Sequence, residues 1–242
     1  MITIKTPREI ELMRKAGEIV YETHKYIQQF IKEGITTDEL NKLAHEFILK
    51  HDATPSCLGF EGFPKAVCIS VNEQVVHGIA SDYKLKKGDV VSIDIVVCYK
   101  GYHGDSAWTY VVGNPSPDVK RLMDGTKEAL YEGIKQVKPG NHISDISKAV
   151  EDCAKKYNLS VVRELVGHGV GSSMHEEPDV PNYTMKNYKG ALLKEGMVIA
   201  IEPMLNLGSR HVIMEDDEWT ISTYDRKPSA HYEHTVLVTE DG

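Results

Sequence analysis

Hydrophobic and polar positions follow two different periods along this chain. A first helix is predicted from Thr6-Pro7-Arg8-Glu9, where Thr6 caps, Pro7 suits the first turn and Glu9 reaches back to complete a capping box. Ile10, Met13, Ala16 and Val20 form its apolar stripe. A second helix opens in the same style at Thr36-Thr37-Asp38-Glu39, with Leu40, Leu43, Ala44, Phe47 and Ile48 at helical spacing. From Ala66 the period changes to two: Val67 to Val71, then Val90 to Tyr99, a Lys100-Gly101 turn, and a returning strand through Tyr110 to Val112. Ser116-Pro117-Asp118 begins a third helix running to about Val137, and Ser144 begins a fourth, with Ile146, Ala149, Val150, Cys153 and Ala154 on one face. Further strands are predicted over Val161 to Val166, Met197 to Ile201, Val212 to Met214 and Tyr232 to Val238.

Two helices followed by strands thus occur twice, and a weak repeat accompanies the order. Ile31-Lys32-Glu33-Gly34 answers Val137-Lys138-Pro139-Gly140, and at the same offset Leu40, Leu43, Ala44 and Phe47 answer Ile146, Ala149, Val150 and Cys153. The expectation is an α+β chain of two similar halves whose strands meet in one curved sheet, with the site in the concavity between them.

Composition narrows the function. Of 242 residues, 41% are hydrophobic and 26% charged, enough for one substantial core. Lys and Arg total 28 against 36 Asp and Glu, a balance of -8 that argues against a nucleic-acid or membrane-surface binder. No apolar signal core follows Met1-Ile2-Thr3-Ile4-Lys5, and the expected location is cytoplasmic. Cys57, Cys68, Cys98 and Cys153 never fall as C-x-x-C, so reduced thiols are expected.

The chemistry shows first in Val90-Val91-Ser92-Ile93-Asp94-Ile95-Val96-Val97, where a carboxylate interrupts an apolar strand. If Lys100-Gly101 is a two-residue turn, residue 94 lies opposite 107, and Asp105 is a diagonal neighbour on the same face. Two carboxylates so close repel unless cations lie between them. Glu202, ending Met197 to Ile201, and Glu233, opening the strand that continues from His234, repeat the oddity. Each alone could be an ordinary ion pair; four together weaken that reading. His168 sits among small neighbours in Gly167-His168-Gly169-Val170-Gly171 and could supply a nitrogen ligand, while His77 and His175 suit hydrogen bonds to a substrate, although either alone reads as an ordinary polar residue. H-E-x-x-H, G-x-x-x-x-G-K and G-x-S-x-G are absent. Oxygen-rich ligation with one imidazole favours Mn, Fe, Co or Zn, and paired carboxylates favour two ions.

Asp94, Asp105, His168, Glu202 and Glu233, in that order, resemble the five metal ligands of the type I methionine aminopeptidases, a family of M24 metallopeptidases. The resemblance covers essentially the whole chain, including Val71-Asn72-Glu73, His77-Gly78, Gly104-Asp105, Gly167-His168-Gly169, His175-Glu176-Glu177-Pro178, Ile201-Glu202-Pro203-Met204 and Tyr232-Glu233-His234-Thr235. It implies the pita-bread fold, as one catalytic domain over 1–242 with pseudo-symmetric halves about 1–112 and 113–242. It implies that Asp94 holds one divalent ion, His168 and Glu202 the other, and Asp105 and Glu233 both, with Co, Mn, Fe, Zn or Ni as the metal. A water between the ions would be the nucleophile and Glu202 its proton shuttle. His175 would stabilise the oxyanion, His77 would bond the peptide nitrogen, and the substrate's free amine would sit on a metal.

The resemblance also implies a methionine pocket of Cys57, Phe60, Phe63, Cys68, His77, Met174 and Trp219. Position 174 is more often aromatic in the family, so Met174 should widen or soften it. Asn72 and Ser229 match a monovalent cation site for Na or K. The implied substrates are N-terminal peptides and nascent chains at the ribosome, cut after an initiator methionine when the second residue is small. A monomer of the short bacterial subtype is expected, retaining its own Met1-Ile2. Two rivals stand beside this: a dipeptidase cleaving before proline on the same ligands, and a non-catalytic binding protein on the same fold.

Overall fold

The computed structural model describes residues 1–242. The first half carries α1 (Pro7–Ile27), α2 (Thr37–Leu49), β1 (Thr54–Pro55), β2 (Cys68–Val71), β3 (Gln74–Val76), β4 (Val90–Tyr99) and β5 (Tyr102–Val111). The second carries α3 (Pro117–Ile134), α4 (Ile143–Lys156), β6 (Ser160–Val161), β7 (Gly167–Gly169), β8 (Glu176–Val180) and β9 (Val198–Ile201). It continues through β10 (Met204–Asn206), β11 (Val212–Met214), β12 (Ile221–Thr223), β13 (Ser229–His231) and β14 (His234–Leu237). Single 3-10 turns lie at Gln28–Phe30 and Phe60–Gly62.

Both predicted capping boxes form. The Thr6 amide donates to Glu9 Oε2 at 2.7 Å, and the Thr36 amide to Glu39 Oε2 at 2.8 Å. Lys100 and Gly101 form the two-residue turn, both at positive φ (48° and 85°), so the register pairs Asp94 with Ala107 and Val96 with Asp105.

Period-two packing decides what faces the site. On β4, Val91, Ile93, Ile95 and Val97 pack under α1 and α2 against Ile19, Ile27, Leu40 and Ile48. Slipping the strand by one residue would remove four such side chains from the core, roughly 6–12 kcal/mol. Ser92, Asp94 and Val96 are therefore held on the opposite face. In the second half, Ile199 and Ile201 of β9 join Leu122, Leu130, Ile146 and Val150 under α3 and α4. Val198, Ala200 and then Glu202 consequently point the other way.

A seam joins the halves. The Glu233 amide donates to Ala107 O at 2.9 Å, and the Thr235 hydroxyl both accepts from the Asp105 amide (2.9 Å) and donates to its carbonyl (2.8 Å). The Thr109 hydroxyl makes the same two-way bond with the backbone of His231.

Several predicted bounds are corrected. The third helix ends at Ile134, not Val137, because Gln136 and Val137 make tightened turn bonds to Gly133 and Ile134 ahead of Pro139. The fourth begins at Ile143, with the His142 amide donating to Asp145 Oδ2 at 2.7 Å. Of the Val161 to Val166 run only Val161 is strand, as the end of Ser160–Val161; beyond it the Glu164 carboxylate turns back to accept the Arg163 amide. Tyr232 to Val238 is not continuous with Glu233 at its head: Tyr232 and Glu233 lie in a break between β13 and β14, just as Glu202 lies in the break between β9 and β10. Residues in such breaks have no ladder partner on one side, which leaves their side chains room to converge.

Candidate metal centre

The concave face encloses a cavity of about 450 Å³ lined by Asp94, Asp105, His168, Glu202 and Glu233, together with His77, His175, Cys57, Phe60, Phe63, Cys68, Met174 and Trp219. No Lys or Arg lines it. The isolated-ion-pair reading of the four carboxylates thereby fails, since no Lys or Arg is there to pair with them and the nearby imidazoles of His168 and His231 are kept neutral by burial.

The donors are deeply buried and short of partners. Oδ1 of Asp94, Oδ1 of Asp105 and Oε1 of Glu233 are inaccessible and accept no hydrogen bond. Burial lifts the Asp94 carboxyl to a pKa of about 6. Burial and then the charges of neighbouring carboxylates raise Asp105, Glu202 and Glu233 well above the usual range. Such a cluster is unfavourable by itself and fits cations between its oxygens.

Asp105, His168 and Glu233 bring donor atoms within 4.8 Å of one another, and Glu202, His231 and Glu233 form a second such group. His168 Nε2 stands 3.4 Å from Glu202 Oε1 and 3.8 Å from Asp105 Oδ2. Asp94 belongs to neither group, although it lines the same cavity. His168 Nδ1 lies 2.9 Å from Gly169 O, a carbonyl that only accepts, so Nδ1 carries the proton and Nε2 keeps a lone pair for a metal. Burial lowers its pKa to about 4, which keeps the ring neutral.

The glycines around His168 serve the strand more than the imidazole. A Cβ on Gly169 would sit 2.2 Å from Glu177 O, and one on Gly167 would sit 2.3 Å from Ala200 O. β7 therefore fits between β8 and β9 only without side chains at those positions.

His175 packs edge-on to His168, ring centroids 4.4 Å apart, and against Phe60 at 5.5 Å. Burial lowers the pKa of both His77 and His175. The pocket floor is Cys57, Phe63, Cys68, Val96 and Met174, with Trp219 set edge-on to Phe63 at 5.1 Å. Phe60 is 39% exposed and belongs to the rim.

Asn72 and Ser229 lie outside the cavity. The Ser229 amide donates to Asn72 O at 3.0 Å, while the Asn72 side chain bonds Asp89 and the Val90 amide and the Ser229 hydroxyl donates to Leu205 O. Sequence reasoning missed His231, Glu61 and Asp179, which also line the cavity. For His231 the only sequence hint was its place two residues before Glu233; its face is set by Ala230, which packs under α3 and α4.

The fold and this oxygen-rich centre define a metallopeptidase, and the chain belongs to metallopeptidase family M24, whose model matches residues 11–240. It is 52% identical over 242 residues to methionine aminopeptidase 1 of Bacillus subtilis (strain 168), covering 100% of this chain and 97% of that protein. It is 43% identical over 243 residues to methionine aminopeptidase of Escherichia coli (strain K12), covering 100% and 92%. Among solved structures, methionine aminopeptidase from Rickettsia prowazekii superposes with a TM-score of 0.97 at 43% identity, over 100% of this chain and 98% of that one. Prolidase from Pyrococcus furiosus superposes with a TM-score of 0.78 at 28% identity, over 99% and 63%. The fold is the pita-bread fold, and the chain is a metallo-aminopeptidase of the type I, bacterial-length group.

Proposed function

We propose that this chain removes the N-terminal methionine from peptides and nascent proteins, preferring a small second residue. The observation that carries the reading is a cation-free-of-Lys-and-Arg cluster of four buried carboxylates and one imidazole, opening onto a soft apolar pocket. Asp94 would hold one divalent ion, His168 and Glu202 the other, and Asp105 and Glu233 both. Such ions supply Lewis-acid chemistry, acidifying water and polarising a carbonyl, with Co, Mn, Fe, Zn and Ni as candidates.

The chain's own residues do the rest. Glu202 accepts the proton of the attacking water and returns it to the leaving amine, a task aided by burial, which raises its proton affinity. His175 donates to the oxygen of the scissile carbonyl, and His77 bonds the peptide nitrogen. Cys57, Phe63, Cys68, Met174 and Trp219 receive the thioether side chain, with Phe60 at the rim. The free amine of the substrate would sit at the metal centre among the carboxylates, so that only the first residue is released.

Residues 1–242 are proposed to act as one catalytic domain, the half about 1–112 supplying Asp94 and Asp105, the half about 113–242 supplying His168, Glu202 and Glu233. A monovalent cation, Na or K, is proposed at Asn72 and Ser229, beside the buried and unpartnered amide oxygen of Asn206, the register partner of Ser229. Four free thiols support a cytoplasmic setting, where a monomer would meet nascent chains at the ribosome.

The test is release of methionine from Met-Ala-Ser, set beside a Xaa-Pro dipeptide, with and without added Mn or Co. Methionine release that disappears in chelator is expected; cleavage only before proline would overturn the reading.

A further inference from the structure

We infer that His231 is a positioning residue that steers Glu202, an inference that rests on the peptidase reading above. His231 is 1% exposed, and its backbone is gripped from both sides by the Thr109 hydroxyl, 3.0 Å from its amide and 2.8 Å from its carbonyl. The ring cannot be placed there for packing alone, because its Nε2 is buried without a hydrogen-bond partner. That atom faces two acceptors, Glu202 Oε2 at 3.7 Å and Glu233 Oε2 at 3.8 Å.

Glu202 presents its two oxygens to two different imidazoles. Oε1 faces His168 Nε2 at 3.4 Å and Oε2 faces His231 Nε2. His168 cannot donate to it, since its single proton is spent on Gly169 O. No Lys or Arg lines the cavity, and the His231 ring nitrogen, 3.7 Å away, is the donor that faces Oε2. A neutral His231 carrying its proton on Nε2 meets that need, and a small torsion of the Glu202 side chain brings the pair into hydrogen-bond range. The division of labour follows: Oε1 is kept for the ion shared with His168, and Oε2 is held in one orientation for moving a proton. A ligating carboxylate left free to rotate would spend much of its time misdirected.

The test compares His231→Phe, which keeps a planar ring but has no donor, with His231→Gln, which keeps an N–H. Wild type and both variants are loaded with Co, and three quantities are followed: the visible absorption of bound Co during titration, kcat and KM for Met-Ala-Ser, and the melting temperature. Expected are a kcat lowered about 10–100-fold in His231→Phe with KM little changed, an altered Co spectrum, and recovery of both in His231→Gln. Should His231→Phe not fold, His231→Met takes its place. Wild-type kcat and spectrum in the donorless variant, or a His231→Gln enzyme as impaired as the donorless one, would overturn the inference. A wild-type enzyme that binds Co yet releases no methionine would instead sink the peptidase reading.

Discussion

Replacing Glu233 by Gln should change the sign of its effect on stability when cations are added. Oxygens of Glu233 lie within 4.8 Å of donor atoms on both Asp105 and Glu202. Two unit charges at that distance repel by about 3 kcal/mol at an effective dielectric constant of roughly 20. Proton uptake relieves part of this, because all three carboxyls are raised by burial and by one another. A net gain of about 1–3 kcal/mol for the cation-free variant is therefore expected, a rise in Tm of about 2–12 °C for a chain of this size. Groups with raised folded pKa bind more protons folded than unfolded, so their stability contribution is complete below about pH 4 and falls as pH rises through the folded values. The gap between variant and wild type should accordingly widen toward pH 8. With Co or Mn in large excess the order reverses: an ion at about 1,000 times its Kd stabilises the wild type by about 4.1 kcal/mol, more than the variant's cation-free advantage, and the variant forfeits most of that. Circular dichroism melts at pH 6 and pH 8, in chelator and in excess Co, measure all four cases. A variant melting below wild type in chelator at pH 8 would refute the claim that these carboxylates strain the cation-free fold.

Other outcomes follow from the same structure. His24, stacked on Trp108 with ring centroids 4.5 Å apart, is held to a pKa of about 3 by burial, so its contribution is complete above about pH 6.5 and drains away toward pH 3. Urea titrations in chelator should show His24→Gln with a shallower acid slope than wild type, the difference approaching about 1.4 kcal/mol per pH unit. Gly169→Ala forces a Cβ to 2.2 Å from Glu177 O, and chemical denaturation should register a loss of about 3 kcal/mol together with weakened Co binding through displaced His168. Met174→Ala removes a side chain from the pocket floor, and steady-state kinetics should show kcat/KM for Met-Ala-Ser reduced by about 10-fold or more, with Co affinity unchanged.

The helices and the β4–β5 hairpin were legible because local chemistry determines them. Thr6 and Thr36 cap as their sequence predicts, and Lys100-Gly101 sets a register that places Asp94 and Asp105 on one face. Among the short strands, β9 and β11 were legible from their apolar runs, and four others were not. β3, β10, β12 and β13 have three residues each, too few for a period to show, and are held by long-range partners. His231 was missed for that reason: Ser229-Ala230-His231 reads as a loop until β10 is seen beside it. The break at Glu202 carried a mark in Pro203, which ends the strand, whereas no Gly or Pro marks the break at Glu233. Convergence of the five donors came from resemblance, because nothing local links Asp94 to Glu233.

The seam between β5 and the segment following β13 has a mechanical consequence. Asp105 and Glu233 are 128 positions apart, yet the Thr235 hydroxyl ties the strand of one to the strand of the other. An ion shared by those two carboxylates would act as a reversible staple across the molecule, closing a loop of that length as a disulfide would. Chelation would then do more than silence chemistry: it would unfasten the halves and leave their junction open to proteolysis.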